Sequence, residues 1–228
     1  MKRYAVIVAG GRGVRMGADR PKQFLDLGGK PVLRRTVECF LDFDPAIELV
    51  IVLPRDGREW WLDYCRRTGF LERWSMVTGG ITRFHSVQNA LRYVGDEGLV
   101  AVHDGVRPLL RRELLERLFA EADSCGAVIP AVPVTDSLRR VSGEGSVPVD
   151  RESLVRVQTP QVFSCKVLKE AYLQPFSTAF TDDASVVEAS GKSIKIVPGD
   201  SINLKITTPG DMTLAESLLK TISCGQEP

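Results

Sequence analysis

The chain has 228 residues, 43% of them hydrophobic and 26% charged, a balance that suits a globular protein with room for a substantial core. Thirty basic residues against 29 acidic ones leave a formal charge of +1, so no bulk field draws the chain to nucleic acid or to an anionic membrane. No apolar run is long enough to span a bilayer, and the five scattered cysteines, without CxxC or His pairing, predict reduced thiols in a soluble, cytoplasmic protein.

Tyr4-Ala5-Val6-Ile7-Val8 reads as a buried strand. It runs into Ala9-Gly10-Gly11-Arg12-Gly13-Val14-Arg15-Met16-Gly17, followed by Pro21-Lys22-Gln23. Glycines there leave backbone N–H groups open to an anion, and Arg15 and Lys22 put fixed positive charge at the edge. The arrangement suits a nucleoside triphosphate; a tight strand-to-helix turn with solvated basic residues fits the same loop. Spacing excludes two other glycine loops. Met16 stands where a dinucleotide fingerprint needs its third glycine, and the Gly-Lys-Ser/Thr of a P-loop is missing.

A helix follows over 32–41, with Pro31 suited to its first turn, then a strand over 48–53. That strand runs into Pro54-Arg55 with no carboxylate to hold a ribose. The next helix, over 59–67, carries Trp60, Trp61 and Tyr64, which read as core. A strand over 74–78 opens onto Gly79-Gly80-Ile81-Thr82-Arg83 and a helix over 86–91. Another strand, 99–103, ends at Asp104; a helix over 113–121 and a strand over 127–132 come next. This alternation predicts an α/β fold, Rossmann-like, with a mostly parallel sheet flanked by helices. Ligands then bind beyond the carboxyl ends of the strands, where the loops at 10–22, 79–83 and 104–107 converge.

The alternation breaks at Pro133. Segments 134–140 and 154–157 flank Ser142-Gly143-Glu144-Gly145-Ser146 and predict a two-stranded arm within about 134–160 of a single domain, 1–228. An isolated hairpin is marginal in water, so a partner subunit's arm is the simplest thing for it to pack on. The chain returns with a helix over 166–173, the acidic turn Thr181-Asp182-Asp183-Ala184, a strand over 193–197, and Asn203-Leu204-Lys205-Ile206-Thr207. A last helix over 209–219 has Thr208 as N-cap and Pro209 at its first position.

Asp104, three residues before Arg107, has two readings. It is a Mg²⁺ ligand facing a triphosphate, or it is half of an ion pair that holds its loop shut. His103 precedes it on a strand, so the two side chains face opposite ways and His103 reads as packed structure. His85 has no patterned partner. Arg151 and Lys205 each read as surface charge, or together with Ser137 as a second anion pocket.

The first loop with Pro21-Lys22-Gln23 resembles the signature of the sugar-nucleotide pyrophosphorylase superfamily. Gly79-Gly80 with Arg83 and Ser86 narrows the resemblance, as does Val102-His103-Asp104 with Arg107-Pro108. So do Pro133-Val134-Thr135-Asp136-Ser137, Val149-Asp150-Arg151, Gln158-Thr159-Pro160-Gln161, Thr181-Asp182-Asp183-Ala184 and Asn203-Leu204-Lys205. In order, from Val8 to about Ala215, they resemble the 2-C-methyl-D-erythritol 4-phosphate cytidylyltransferase family.

The resemblance implies transfer of a cytidylyl group from CTP to methylerythritol 4-phosphate, with pyrophosphate released and Mg²⁺ bound with the nucleotide at Asp104. It implies Arg15 and Lys22 as transition-state stabilisers on the triphosphate. The base would lie against the backbone of Ala9, Gly10, Gly80 and Ile81, helped by Ser86. Arg151 and Lys205 would hold the methylerythritol phosphate with Ser137 assisting, and arms would swap in a homodimer. Gly11, Gly13, Arg83, Arg107 and Thr181 complete the binding set so implied. Ser137 stands where threonine is frequent in the family, keeping the hydroxyl, and Ile81 where some members have a polar residue. A ribitol-5-phosphate cytidylyltransferase and a non-catalytic nucleotide sensor of the same fold are the alternatives. The acceptor phosphate is already an anionic nucleophile, so a missing catalytic histidine is expected.

Overall fold

A computed structural model of the chain describes residues 1–11, 20–70 and 73–224. The first half alternates as its sequence pattern requires. Strand β1 (Arg3–Val8) leads through a 3-10 turn (Lys22–Phe24) and a short ribbon, β2 (Asp26–Leu27) and β3 (Lys30–Pro31), into helix α1 (Val32–Phe43). Then come β4 (Glu48–Leu53), α2 (Gly57–Thr68), β5 (Trp74–Thr78), α3 (Arg83–Leu91), β6 (Leu99–Asp104), α4 (Arg112–Cys125) and β7 (Ala127–Pro133). The second half runs β8 (Leu138–Ser142), β9 (Gly145–Val149), β10 (Val155–Val157), β11 (Gln161–Ser164), α5 (Cys165–Ala171), α6 (Asp183–Ala189), β12 (Lys195–Pro198) and α7 (Pro209–Cys224).

Eight strands form the main sheet in the order β10-β7-β11-β6-β1-β4-β5, with β12 also on β7. β1 pairs in parallel with β4 and β6, β4 with β5, and β12 with β7. Strand alternation sends side chains to opposite faces. Ala5, Ile7, Leu49, Ile51 and Leu53 meet Phe40, Trp61 and Leu115 on one face. Tyr4, Val6, Val50, Val52 and Val102 meet Phe84, Val87, Leu168 and Val187 on the other. Trp61 is fully buried as the sequence predicts, while Trp60 and Tyr64 pack partly buried against the same cluster. A third cluster, with Leu27, Val106, Leu109, Ile206 and Ala215, seats α7.

Several elements differ from the sequence reading. β11 is antiparallel to both of its neighbours and separates β6 from β7, so the centre is not continuous βαβ. The arm is a tighter hairpin than expected: β8 pairs with β9, and 154–157 instead returns to the main sheet as β10 on β7. The turn explains it. Gly143 has φ +55° at the first position of a two-residue loop, the conformation a tight hairpin demands, so the strands close at once rather than across a long loop. The acidic turn is the start of an unforeseen helix, α6, whose N-cap Asp182 and Ser185 form a capping box. Pro31 sits one residue before α1 rather than in its first turn. α7 begins at Pro209 as expected, and Thr208 Oγ1 accepts from Asp211 N–H at 3.3 Å.

Candidate active site

In the parallel register Val8 lies beside Asp104 and Leu53 beside Thr78, so neighbouring strands end at one edge. The ladder continues past them. Ala9 N–H donates to Val52 O at 2.9 Å, Gly79 N–H to Leu53 O at 2.8 Å and Gly105 N–H to Val8 O at 2.9 Å. The described residues of the loops that the sequence places at this edge meet there, around a cleft of about 290 Å³. Ala9, Gly10, Gly11 and Lys22 line one side of it; Gly80, Ile81, Arg83 and Ser86 line another; Asp104 and Lys205 close it. Gly13 and Arg15, expected beside Lys22, lie outside the described residues.

The glycines do different jobs. A Cβ on Gly80 would stand 2.4 Å from His85 Cβ and 2.9 Å from that residue's backbone carbon, so nothing larger fits the turn. A Cβ on Gly11, which lines the cleft, would meet nothing within 4 Å among the described residues. Ser86 holds the second glycine turn, its Oγ accepting from Gly80 N–H at 3.0 Å and donating to Thr82 O at 2.9 Å. Thr82 in turn caps α3, its Oγ1 lying 2.7 Å from His85 Nδ1. Gln23, quoted in the Pro21-Lys22-Gln23 motif but given no role from sequence, supports the loop. Its buried side chain donates to Ala9 O at 2.8 Å and Gly11 O at 3.3 Å, pinning the glycine loop to the turn that carries Lys22.

Asp104 is the electrostatic centre. Its Oδ2 lies 2.8 Å from Lys205 Nζ and 3.4 Å from Arg107 Nε, and its Oδ1 lies 3.9 Å from Arg83 Nε. Burial by itself raises the carboxyl's pKa, but Arg83, Lys205 and Arg107 outweigh burial and hold it below the usual carboxylate range. The ion pair with Arg107 is thus present, as one of the two readings of Asp104 expects, and Lys205 makes a closer contact still. Arg107 is fixed a second time by donating to Asn203 O at 2.8 Å.

Arg83, Asp104 and Lys205 also line an adjoining cavity of about 230 Å³, whose other walls include Arg107, Gln158, Thr159, Gln161 and Thr181. Arg107 comes from the loop that follows β6, and Lys205 is brought here by the chain segment after β12. Ser137 and Arg151 are not. Both are exposed, Arg151 donating to Thr135 O at 2.6 Å on the arm, and neither lines either cavity of its own chain.

His103 is packed structure, as its strand position implies. It is fully buried, with Nε2 3.1 Å from Arg107 O and Nδ1 3.1 Å from Thr159 Oγ1, and its ring meets Phe40 edge-on. Burial lowers its pKa to about 4, so the imidazole is neutral. Thr159 also accepts from Asp104 N–H at 3.0 Å. Among the described residues no group of three or more His, Cys, Asp or Glu side chains could cage a metal.

The chain matches the family described as IspD, 2-C-methyl-D-erythritol 4-phosphate cytidylyltransferase, over residues 4–221. A protein of Phocaeicola vulgatus named 2-C-methyl-D-erythritol 4-phosphate cytidylyltransferase is 50% identical over 219 residues, covering 96% of this chain and all of the relative. A Geobacillus kaustophilus protein of the same name is 39% identical over 222 residues, covering 96% of this chain and 97% of the relative. Among solved structures, the enzyme of that name from Thermus thermophilus superposes with a TM-score of 0.77 at 32% identity, over 96% of this chain and all of that one.

Proposed function

The chain belongs to the 2-C-methyl-D-erythritol 4-phosphate cytidylyltransferase family, and from that membership we propose how its two cavities divide the work. The enzyme joins CTP to 2-C-methyl-D-erythritol 4-phosphate, giving 4-diphosphocytidyl-2-C-methyl-D-erythritol and pyrophosphate in the non-mevalonate pathway. A phosphate oxygen of the acceptor attacks the α-phosphorus of CTP. The bond from that phosphorus to the bridging oxygen breaks, and its electron pair leaves with pyrophosphate.

The glycine-lined cleft takes CTP. Its base lies against the backbone of Ala9, Gly10, Gly80 and Ile81, with the turn held by Ser86, and its phosphates approach Gly11, Gly13, Arg15 and Lys22. The adjoining cavity takes the polyol phosphate, with Lys205, Arg107 and Thr181 from one chain and Ser137 and Arg151 from the arm of a second copy. The shared wall carries this division: Arg83, Asp104 and Lys205 line both cavities, so an acceptor phosphate and a triphosphate would meet across them. Swapped arms are supported by the hairpin's apolar side chains, for Val141 is 75% and Val147 53% exposed in the single chain.

No general base is needed, because a phosphate monoester is largely ionised at neutral pH. His103, buried and neutral, is not available as one. The work left to the protein is positioning and preorganised positive charge. Lys22 and Arg15 stabilise charge gathering on the phosphoryl oxygens and the leaving pyrophosphate.

A magnesium ion fits this donor set. Asp104 Oδ1 stands beyond hydrogen-bond reach of Arg83 Nε, and one carboxylate with substrate phosphates is the sparse set Mg²⁺ accepts. Bound there, it would supply neutralising charge to the triphosphate. The free thiols of Cys39, Cys65, Cys125 and Cys165 support a reducing, cytosolic setting.

The deciding experiment measures pyrophosphate released from CTP and Mg²⁺ with methylerythritol 4-phosphate or with ribitol 5-phosphate. Turnover is expected with the first and far less with the second. Release from neither would overturn the reading, and binding of CTP without release would favour a sensor.

A further inference from the structure

Arg83 lines both cavities, yet its tightest partner lies behind it. Its Nη2 donates to Asp183 Oδ2 at 2.6 Å, and Asp183 Oδ1 accepts from the Tyr172 hydroxyl at 2.6 Å. Asp183 has no exposed surface and lines neither cavity. The other carboxylate beside Arg83 is Asp104, and there the gap opens to 3.9 Å.

The mount behind Arg83 is rigid for local reasons. Asp183 is the first residue of α6, and the capping box of Asp182 and Ser185 fixes that helix start. Gln161 clamps it to β11, donating to Asp182 Oδ2 at 2.7 Å and accepting from Ala184 N–H at 2.9 Å. Phe84, next to Arg83, stacks on the Tyr172 ring with centroids 4.7 Å apart. One carboxylate thus meets two donors, each on an element held by other contacts.

We propose that Asp183 is a positioning residue: with Tyr172 it draws the Arg83 guanidinium back from Asp104, keeping Asp104 Oδ1 open at the wall the two cavities share. Without that pull, the planar fork of Arg83 would close on Asp104 as a two-point pair. The carboxylate would then be covered where both substrates converge. The inference rests on the two-cavity reading above.

The test compares kcat for the full-length enzyme in a double-mutant cycle of Asp183→Asn and Arg83→Gln, with thermal melts as the folding control. Asp183→Asn keeps shape and an acceptor for Tyr172 but loses the charge that holds Arg83. A kcat loss of about tenfold or more is expected, the range typical when a supporting carboxylate is neutralised. In the Arg83→Gln background the same change should cost less than about twofold, since independent sites would add. A loss below tenfold in the first background, or an equal loss in both, overturns the proposal. If Asp183→Asn does not fold, Tyr172→Phe carries the cycle: a loss of about threefold that vanishes with Arg83→Gln supports it, and an unchanged kcat overturns it. Absence of turnover in the unmodified enzyme would instead count against the two-cavity reading.

Discussion

His103 and Asp104 are neighbours on one strand with opposite fates, because β geometry turns one into the sheet's packing and the other into the cleft. The histidine has a measurable signature. Its pKa is about 4 in the fold, against about 6.5 when exposed. As pH falls below 6.5 the unfolded chain takes this proton first, so the stability His103 contributes is complete above 6.5 and is lost as pH drops through 4. The urea midpoint should therefore fall with acid across that window, and His103→Gln should flatten that part of the profile; an unaltered slope would show that His103 contributes nothing to it. Lys22→Ala belongs at the same scale. Removing one preorganised donor costs about 3–4 kcal/mol of barrier, so kcat should fall at least about a hundredfold with the melt unchanged. Near-normal kcat would remove Lys22 from the chemistry. Residue placement was legible where type and spacing coincide, as for Lys22, Asp104 and Arg83, which all line the cleft. Asp183, Gln23 and Thr159 were not, because their roles come from partners 100, 14 and 55 residues away that no local pattern links.

Elements were legible wherever periodicity ran long. β4 and β5 match their sequence-predicted limits because six and five residues of apolar or β-prone sequence leave little freedom. β11 was missed because four residues after Pro160 carry no usable period, and its antiparallel direction is set by the partners it slots between. The turn at Gly80 is the part of the cleft wall that a single methyl would disturb. With a Cβ 2.4 Å from His85 Cβ, Gly80→Ala must shift the start of α3 and with it Ser86 and Arg83. A rise of about tenfold or more in the KM for CTP is expected, since near-ångström misplacement of a binding element costs on that order. An unchanged KM for CTP would separate this turn from the nucleotide.

At the scale of the molecule, the arm decides whether each site is made by one chain or two. If Ser137 and Arg151 serve a neighbouring copy, Arg151→Ala should raise the KM for methylerythritol 4-phosphate far more than that for CTP. Mixing equal amounts of Lys22→Ala and Arg151→Ala enzyme should then restore about a quarter of full activity, because half the symmetric dimers are hybrids with one intact site. No recovery after subunit exchange would place both residues in one chain's site. Charge was the most legible property at this scale and the least informative, since a formal +1 hides how the cations are gathered. Lys205, Arg107 and Arg83 crowd one carboxylate. On the two-cavity reading Asp104 would serve as a placeholder anion: it spares the cations their mutual repulsion until an arriving phosphate takes them over in an exchange of counter-ions.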